Sequence, residues 1–262
     1  MEKILVLGLG KSGLAACRLL AKKADVSAWD SKAEEKFDSQ LVDSLKAMGI
    51  TLYFGEKPCA KGWDQLILSP GVPSGLDLVA AAKENGARIS GELQLAYEHC
   101  SGSFLGITGT NGKTTTTALT GEIVKASGRK TEVVGNIGLP VAQTVMNTDK
   151  DTVMVTEISS FQLETTSTFR PAVSAILNIT PDHLDRHGSV EEYTRVKHLI
   201  HAHQTESDFY VYNADDPGLL AHAKTMTEGP VKVPFSRKLS ALQLKEQTGC
   251  TRCAVAEEGM IT

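Results

Sequence analysis

Short apolar runs rich in Val, Ile and Leu alternate along this chain with stretches whose apolar residues recur at helical spacing. The alternation predicts an α/β protein, a largely parallel sheet covered by helices. Up to residue 100, strands are expected at 3–7, 26–29, 51–54 and 65–68, with helices at 12–22, 38–48 and 75–85. Ser101-Gly102-Ser103 interrupts the pattern with small, flexible residues and marks a domain boundary. Beyond it, strands are expected at 104–107, 152–156, 173–177 and 209–212, and helices at 114–127 and 191–203. Near the end, 254–256 reads as a strand, 257–259 as a turn and 260–262 as a return strand cut short. Two α/β domains result, 1–100 and 101–262, the second incomplete.

Composition narrows the ligands. The 262 residues suffice for two ordinary cores. A net charge of −4 lacks the basic footprint of a nucleic-acid binder, so a polyanionic ligand must be held by local geometry. No apolar stretch approaches the roughly 18 residues of a membrane span. The apolar run at residues 4–7 is too short for a signal peptide. Five scattered cysteines, an odd number, argue against a disulfide framework and for the cytoplasm.

The sharpest motif is Gly106-Ile107-Thr108-Gly109-Thr110-Asn111-Gly112-Lys113-Thr114-Thr115, which follows an apolar strand and opens a helix. Glycines let successive backbone N–H groups turn inward as an anion nest, and the helix N-terminus adds partial positive charge. Lys113 would neutralise β/γ-phosphates and the Thr114 hydroxyl would bind Mg²⁺. The common G-x-x-x-x-G-K-[ST] spacing is not met, because residue 107 is Ile. The variant Gly109-Thr110-Asn111-Gly112-Lys113-Thr114-Thr115 resembles the loop shared by Mur ligases and folylpolyglutamate synthases. ATP is therefore the expected nucleotide, with Asn136 also near it.

Further segments carry the resemblance. Glu157 ends an apolar strand, where a nucleotide-bound Mg²⁺ expects a carboxylate. Residues 157–164, Glu-Ile-Ser-Ser-Phe-Gln-Leu-Glu, look like the segment of the Mur ligase branch that adds D-glutamate to UDP-N-acetylmuramoyl-L-alanine. Asn136-Ile137-Gly138-Leu139-Pro140 and the run from Ile176 to His187 are similar to segments shared across the family. Read alone, His183 and His187 have the spacing of a helical metal pair, but Pro181 makes a regular helix doubtful, and one of the two reads as a surface residue. The resemblance implies two Mg²⁺ ions, one on Thr114 and Glu157, the other on Glu157, His183 and a CO₂-derived carbamate on Lys197. It also implies Lys113, Glu157, His183 and Lys197 as catalytic, and Asn136, Ser159 and Gln162 as facing the muramoyl substrate.

Gly8-Leu9-Gly10-Lys11-Ser12-Gly13 follows the first strand, and Asp30 follows the second, a full dinucleotide-type fingerprint. By itself it favours NAD or FAD. The family resemblance implies instead a small Rossmann-like domain binding the UDP part of the substrate, with the diphosphate at Lys11 and Ser12. Asp30, Ser31 and Lys32 would border the uridine and the phosphates, and Ser69-Pro70-Gly71-Val72 would bring Gly71 close to the nucleotide.

Other signals carry no assigned chemistry. Cys250-Thr251-Arg252-Cys253 has redox or zinc spacing but no second pair, and His198, His201 and His203 read as a polar helix face. Asp215-Asp216-Pro217 reads as a turn into a helix capped by aspartate. The resemblance implies ATP, D-glutamate and UDP-N-acetylmuramoyl-L-alanine as substrates, with an acyl phosphate between them. The resemblance also implies a further domain, expected beyond these residues, that would hold D-glutamate, so the 262 residues alone are expected to form no amide. Another Mur ligase or a folylpolyglutamate synthase-like ligase, a nucleotide-binding piece without catalysis, or an NAD-dependent oxidoreductase stays open.

Overall fold

A computed structural model of the chain describes residues 1–257 and 260–261, which pack as two units. The first comprises Met1–Ser101 with Ile137–Asp149 and Glu164–Ser167. The second comprises Gly102–Asn136, Lys150–Leu163 and the described residues from Thr168. Sequence alone assigns 137–149 and 164–167 to the second domain; packing puts them in the first.

The first unit holds β1 (Lys3–Leu7), α1 (Lys11–Leu20), β2 (Asp25–Asp30), α2 (Ser39–Ala47), β3 (Thr51–Phe54), β4 (Gln65–Leu68), α3 (Asp77–Glu84), β5 (Arg88–Gly91) and α4 (Glu92–His99). The strands form one parallel sheet in the order β3-β2-β1-β4-β5. This is the doubly wound pattern, and strand order reverses between β1 and β4. Leu5, Leu7, Leu66 and Leu68 on the central strands pack with Trp29 and with Leu78, Val79 and Ala82 of α3. The four strands expected here form, each within a residue of the expected bounds.

The second unit continues with β6 (Ser103–Thr108), α5 (Lys113–Ala126) and β7 (Thr131–Gly135). The chain then makes α6 (Val141–Thr144), which belongs to the first unit. Returning, it forms β8 (Val153–Glu157), α7 (Ser160–Leu163), β9 (Val173–Ile176), α8 (Leu184–His187), α9 (Val190–His198) and β10 (Phe209–Asn213). Last come α10 (Pro217–Thr225), β11 (Val231–Ser236), α11 (Ala241–Thr248), β12 (Ala254–Glu257) and β13 (Met260–Ile261). The sheet order is β13-β12-β11-β10-β9-β6-β8-β7, parallel except for the β12–β13 pair. The expected turn at 257–259 has residues 258 and 259 outside the described residues. The expected capping aspartate is Asp216, whose carboxylate accepts from the N–H groups of Gly218 and Leu219 at 3.0 and 3.2 Å. No helix among the described residues is long and apolar enough to cross a membrane.

The inserted segments are bonded into the first unit. Gly91 N–H donates to the Thr165 carbonyl, and Ser167 N–H to the Gln94 amide oxygen. At α6, the Ala142 N–H donates to Glu92, a carboxyl only 1% exposed whose other oxygen has no partner among the described residues. Burial pushes the Glu92 carboxyl up to about 7, against the two backbone N–H groups of Ala142 and Val141 that favour its anion. The folded state thus keeps a proton that the unfolded chain releases near 4.5, so stability falls as pH rises from there to about 7. Glu92→Gln should remove this slope and stabilise the first unit at pH 8 by about 2–3 kcal/mol, with little change at pH 5. Urea unfolding at the two pH values checks it. Both tryptophans, Trp29 and Trp63, lie in this unit, so their fluorescence reports it. Equal midpoints of wild type and variant at pH 8 would refute the assignment.

Candidate functional site

In the first unit a cleft of about 440 Å³ opens at the carboxyl ends of β1, β2 and β4. Lys11, Ser12, Asp30, Ser31, Lys32 and Gly71 all line it, so every first-unit residue expected at a nucleotide is brought to one place. Strand ends beside a reversal of strand order are where open α/β sheets bind ligands. The turn from β1 into α1 is held by Gly8 N–H donating to the Trp29 carbonyl at 2.7 Å and Ser69 Oγ donating to the Gly8 carbonyl at 2.9 Å. Asp30 accepts from the Leu9 and Lys32 N–H groups at 2.8 and 3.0 Å, fixing the loop after β2. Helix α1 starts at Gly10 with no side-chain cap, leaving its first N–H groups available to an anion.

In the second unit β6 runs into α5 through the glycine loop. Gly112 caps α5 at φ 83°, a left-handed conformation that glycine adopts without strain. Asn178, just beyond β9, braces the loop. Its carbonyl accepts from Thr110 N–H, its side-chain oxygen accepts from Asn111 N–H, and its amide donates back to the Asn111 carbonyl, all at 2.9–3.0 Å. Thr110 also exchanges hydrogen bonds with the backbone of Thr180. The Lys113 ammonium donates to the carbonyls of Gly109 and Thr110 at 3.0 and 2.8 Å, which holds it within the curve of the loop. Thr115 follows in the first turn of α5.

Thr114 Oγ1 donates to Glu157 Oε2 at 2.8 Å, and the Asn136 amide donates to Glu157 Oε1 at 2.9 Å. Glu157 is 1% exposed, so both carboxylate oxygens are committed to the loop side of β8. A hydroxyl and a carboxylate in contact beside a glycine loop at a helix N-terminus are a hard oxygen donor set, which fits Mg²⁺. Lys197 is also 1% exposed, and its Nζ donates to the Gly109 carbonyl at 2.8 Å and sits over the Tyr193 ring. Burial and the nearby Lys113 charge pull its pKa down to about 7, with Asp182 opposing. His183 lies half-exposed at φ 49°, its ring against Phe161 and edge-on to Tyr193. Thus Thr114, Glu157 and Asn136 meet directly, whereas His183 and Lys197 each meet Tyr193.

Ser159 and Gln162 are engaged with each other: the N–H and hydroxyl of Ser159 donate to Gln162 Oε1 at 2.9 and 3.0 Å. Ser159 immediately precedes α7 and Gln162 lies within it; like Asn136, both belong to the second unit. His187, the other half of the sequence pair, is the buried one and shares a hydrogen bond with Ser160 Oγ. Sequence reasoning gave no part to Asn178 or Tyr193; an Asn directly after a strand, facing a glycine loop, was the available signal. The polar face expected of His198, His201 and His203 is not what forms. His201 is buried, His198 half-buried, and both contact His222 from α10; only His203 is exposed. Burial drives His198 down to about 3 and His201 to about 4, with the neighbouring His222 adding to both shifts.

Comparison with known proteins identifies the family. A family model described as Mur ligase middle domain matches residues 107–257, and one described as Mur ligase MurD-like, N-terminal domain, matches 2–91. A UDP-N-acetylmuramoylalanine–D-glutamate ligase of Thermoanaerobacter sp. (strain X514) is 45% identical over 243 residues, covering 90% of this chain and 52% of the relative. The ligase of the same name from Pelotomaculum thermopropionicum is 47% identical over 240 residues, with the same coverages. The chain spans about half the length of the curated relatives it matches. Among solved structures, the UDP-N-acetylmuramate:L-alanyl-gamma-D-glutamyl-meso-diaminopimelate ligase from Neisseria meningitides superposes with a TM-score of 0.57 at 20% identity, covering 92% of this chain and 82% of that one. The UDP-N-acetylmuramate-alanine ligase from Thermotoga maritima gives 0.51 at 22% identity, covering 91% and 53%. These two likenesses show the shared fold. With the middle-domain model matching more than half of its residues and the glycine loop, Glu157 and the β8–β9 region in place, the chain belongs to the Mur ligase family.

Proposed function

We propose that this chain is the UDP-sugar- and ATP-binding part of a cytoplasmic ligase that joins D-glutamate to UDP-N-acetylmuramoyl-L-alanine in peptidoglycan precursor synthesis. The observation that carries the reading is the Thr114–Glu157–Asn136 contact at the mouth of a braced glycine loop. The names of the relatives supply the substrate class. In the reaction, an alanine carboxylate oxygen attacks the γ-phosphorus of ATP, ADP leaves, and an acyl phosphate results. The D-glutamate amine then attacks the activated carbonyl, phosphate leaves, and the amine loses its proton.

The positions of this chain's residues support the following roles. The α5 N-terminus and the loop N–H groups hold the phosphates, and Lys113 offsets the charge that spreads over the transferring group. Thr114 and Glu157 would hold Mg²⁺, which would supply further charge neutralisation to the phosphates. A second ion would take Glu157, His183 and Lys197 as a carbamate. A lysine held near 7 is substantially neutral at physiological pH, and only the neutral amine can attack CO₂, releasing a proton as the carbamate forms. In the first unit, Lys11 and Ser12 at the α1 N-terminus would take the diphosphate. Asp30, Ser31, Lys32 and Gly71 would border the uridine. Asn136, Ser159 and Gln162 would meet the muramoyl portion.

Calorimetric titration separates this reading from a dinucleotide site. UDP-N-acetylmuramoyl-L-alanine should give saturable binding and NADH none. Saturable NADH binding without a response to the UDP-sugar would replace the ligase reading with an oxidoreductase.

A further inference from the structure

The second unit gathers three imidazoles that the ligase chemistry does not use. His198 ends α9, His201 ends the 3-10 turn that follows, and His222 lies on α10. One ring nitrogen from each can be chosen so that all three lie within 4.8 Å of one another. His198 Nδ1 and His201 Nε2 are 3.1 Å apart. Two nitrogens on one tetrahedral Zn²⁺, with bonds of about 2.0–2.1 Å, stand about 3.4 Å apart, so this pair needs only a few tenths of an ångström to open. The His222 ring stacks on His198 at 3.6 Å between centroids, 24° from parallel, and lies 5.2 Å from His201, so it has to turn out of the stack to aim a ring nitrogen at an ion shared with the other two.

The polar atoms here are poorly satisfied. His222 Nε2 is buried with no hydrogen-bond partner among the described residues, and the same holds for the hydroxyl of Tyr210, whose ring packs on His201. A buried ring nitrogen without a partner costs on the order of 1–3 kcal/mol unless something outside the chain satisfies it. We propose that His198, His201 and His222 bind a single divalent d-block ion of the zinc class, with solvent as the fourth donor. Three imidazoles and no carboxylate select a borderline ion over Mg²⁺, which prefers oxygen. Bound there, the ion ties the end of α9 to α10 and supports the helix that carries Lys197.

The test uses the full 262-residue chain carrying Cys250→Ser and Cys253→Ser, which removes the only C-x-x-C pair. Excess Mg²⁺ keeps hard-ion sites filled while Zn²⁺ is titrated. One Zn²⁺ per chain should bind and raise the melting temperature. His222→Ala should weaken binding at least tenfold and abolish the melting shift, whereas the exposed His203→Ala should change neither. Absence of saturable Zn²⁺ binding, or His222→Ala binding within twofold of the parent, overturns the proposal. Should His222→Ala fail to fold, Co²⁺ added to the parent decides: tetrahedral d–d absorption supports the site, and its absence overturns it.

Discussion

Lys113→Ala should cost this chain between tenfold and a hundredfold in Mg-ATP affinity, with little change in melting temperature. The ammonium is held by two loop carbonyls at the start of α5, inside the loop proposed above to hold the phosphates. Hydrogen bonds to a charged partner contribute about 1.5–3 kcal/mol. A factor of ten corresponds to about 1.4 kcal/mol. The fold should survive, because the loop keeps its bonds to Asn178 and Thr180. Calorimetry with ATP and Mg²⁺ on both proteins is the measurement. Unchanged affinity would mean that the loop does not hold the phosphates through Lys113.

Gly13→Ala should destabilise the first unit by about 3 kcal/mol or more and abolish UDP-sugar binding. A Cβ at this position would lie 1.8 Å from the Gly8 carbonyl oxygen and 2.8 Å from Ser69 Oγ. The first is backbone and cannot swing aside, so the β1–α1 turn must open, and overpacking of this kind commonly costs 1–3 kcal/mol, sometimes more. Opening that turn also moves the α1 N-terminus away from the cleft. Urea unfolding followed by tryptophan fluorescence, with a UDP-sugar titration of the folded variant, checks both parts. A variant with wild-type stability would show that the turn yields more easily than its geometry implies.

Much of this architecture was legible because the decisive signals are contiguous. The runs at 51–54 and 65–68 are strands at those residues, and the glycine loop, Lys113 and Thr114 form one unbroken string. The missed elements share a different character. Helix α4 buries Glu92 and Gln94 beside Leu93 and Leu95, so its inward face has no apolar period. Strand β11 carries Lys232 and Pro234 between its apolar residues, and Pro reads as a strand breaker. Strands β5 and β7 are short edges ending in Gly. Similarly, His198 and His201 read as a polar face because the residue that encloses them, His222, lies on another helix. Asn178 and Tyr193 escaped notice for the same reason: their partners are distant in sequence.

The two excursions of the chain back into the first unit bear on how the molecule is made. Synthesis delivers the five strands of the first sheet well before α6 and residues Glu164–Ser167, which complete that unit. Until they emerge, α1 and α4 lack the helix that packs on them, and Gly91 and Gln94 lack their backbone partners. Domains commonly fold one after another as the ribosome releases them. Here the first unit cannot close until much of the second, including the glycine loop and β8, has left the exit tunnel. Dissection should respect the same order: a piece ending at Ser101 omits part of its own packing, and a faithful version of the first unit has to carry Ile137–Asp149 and Glu164–Ser167 with it.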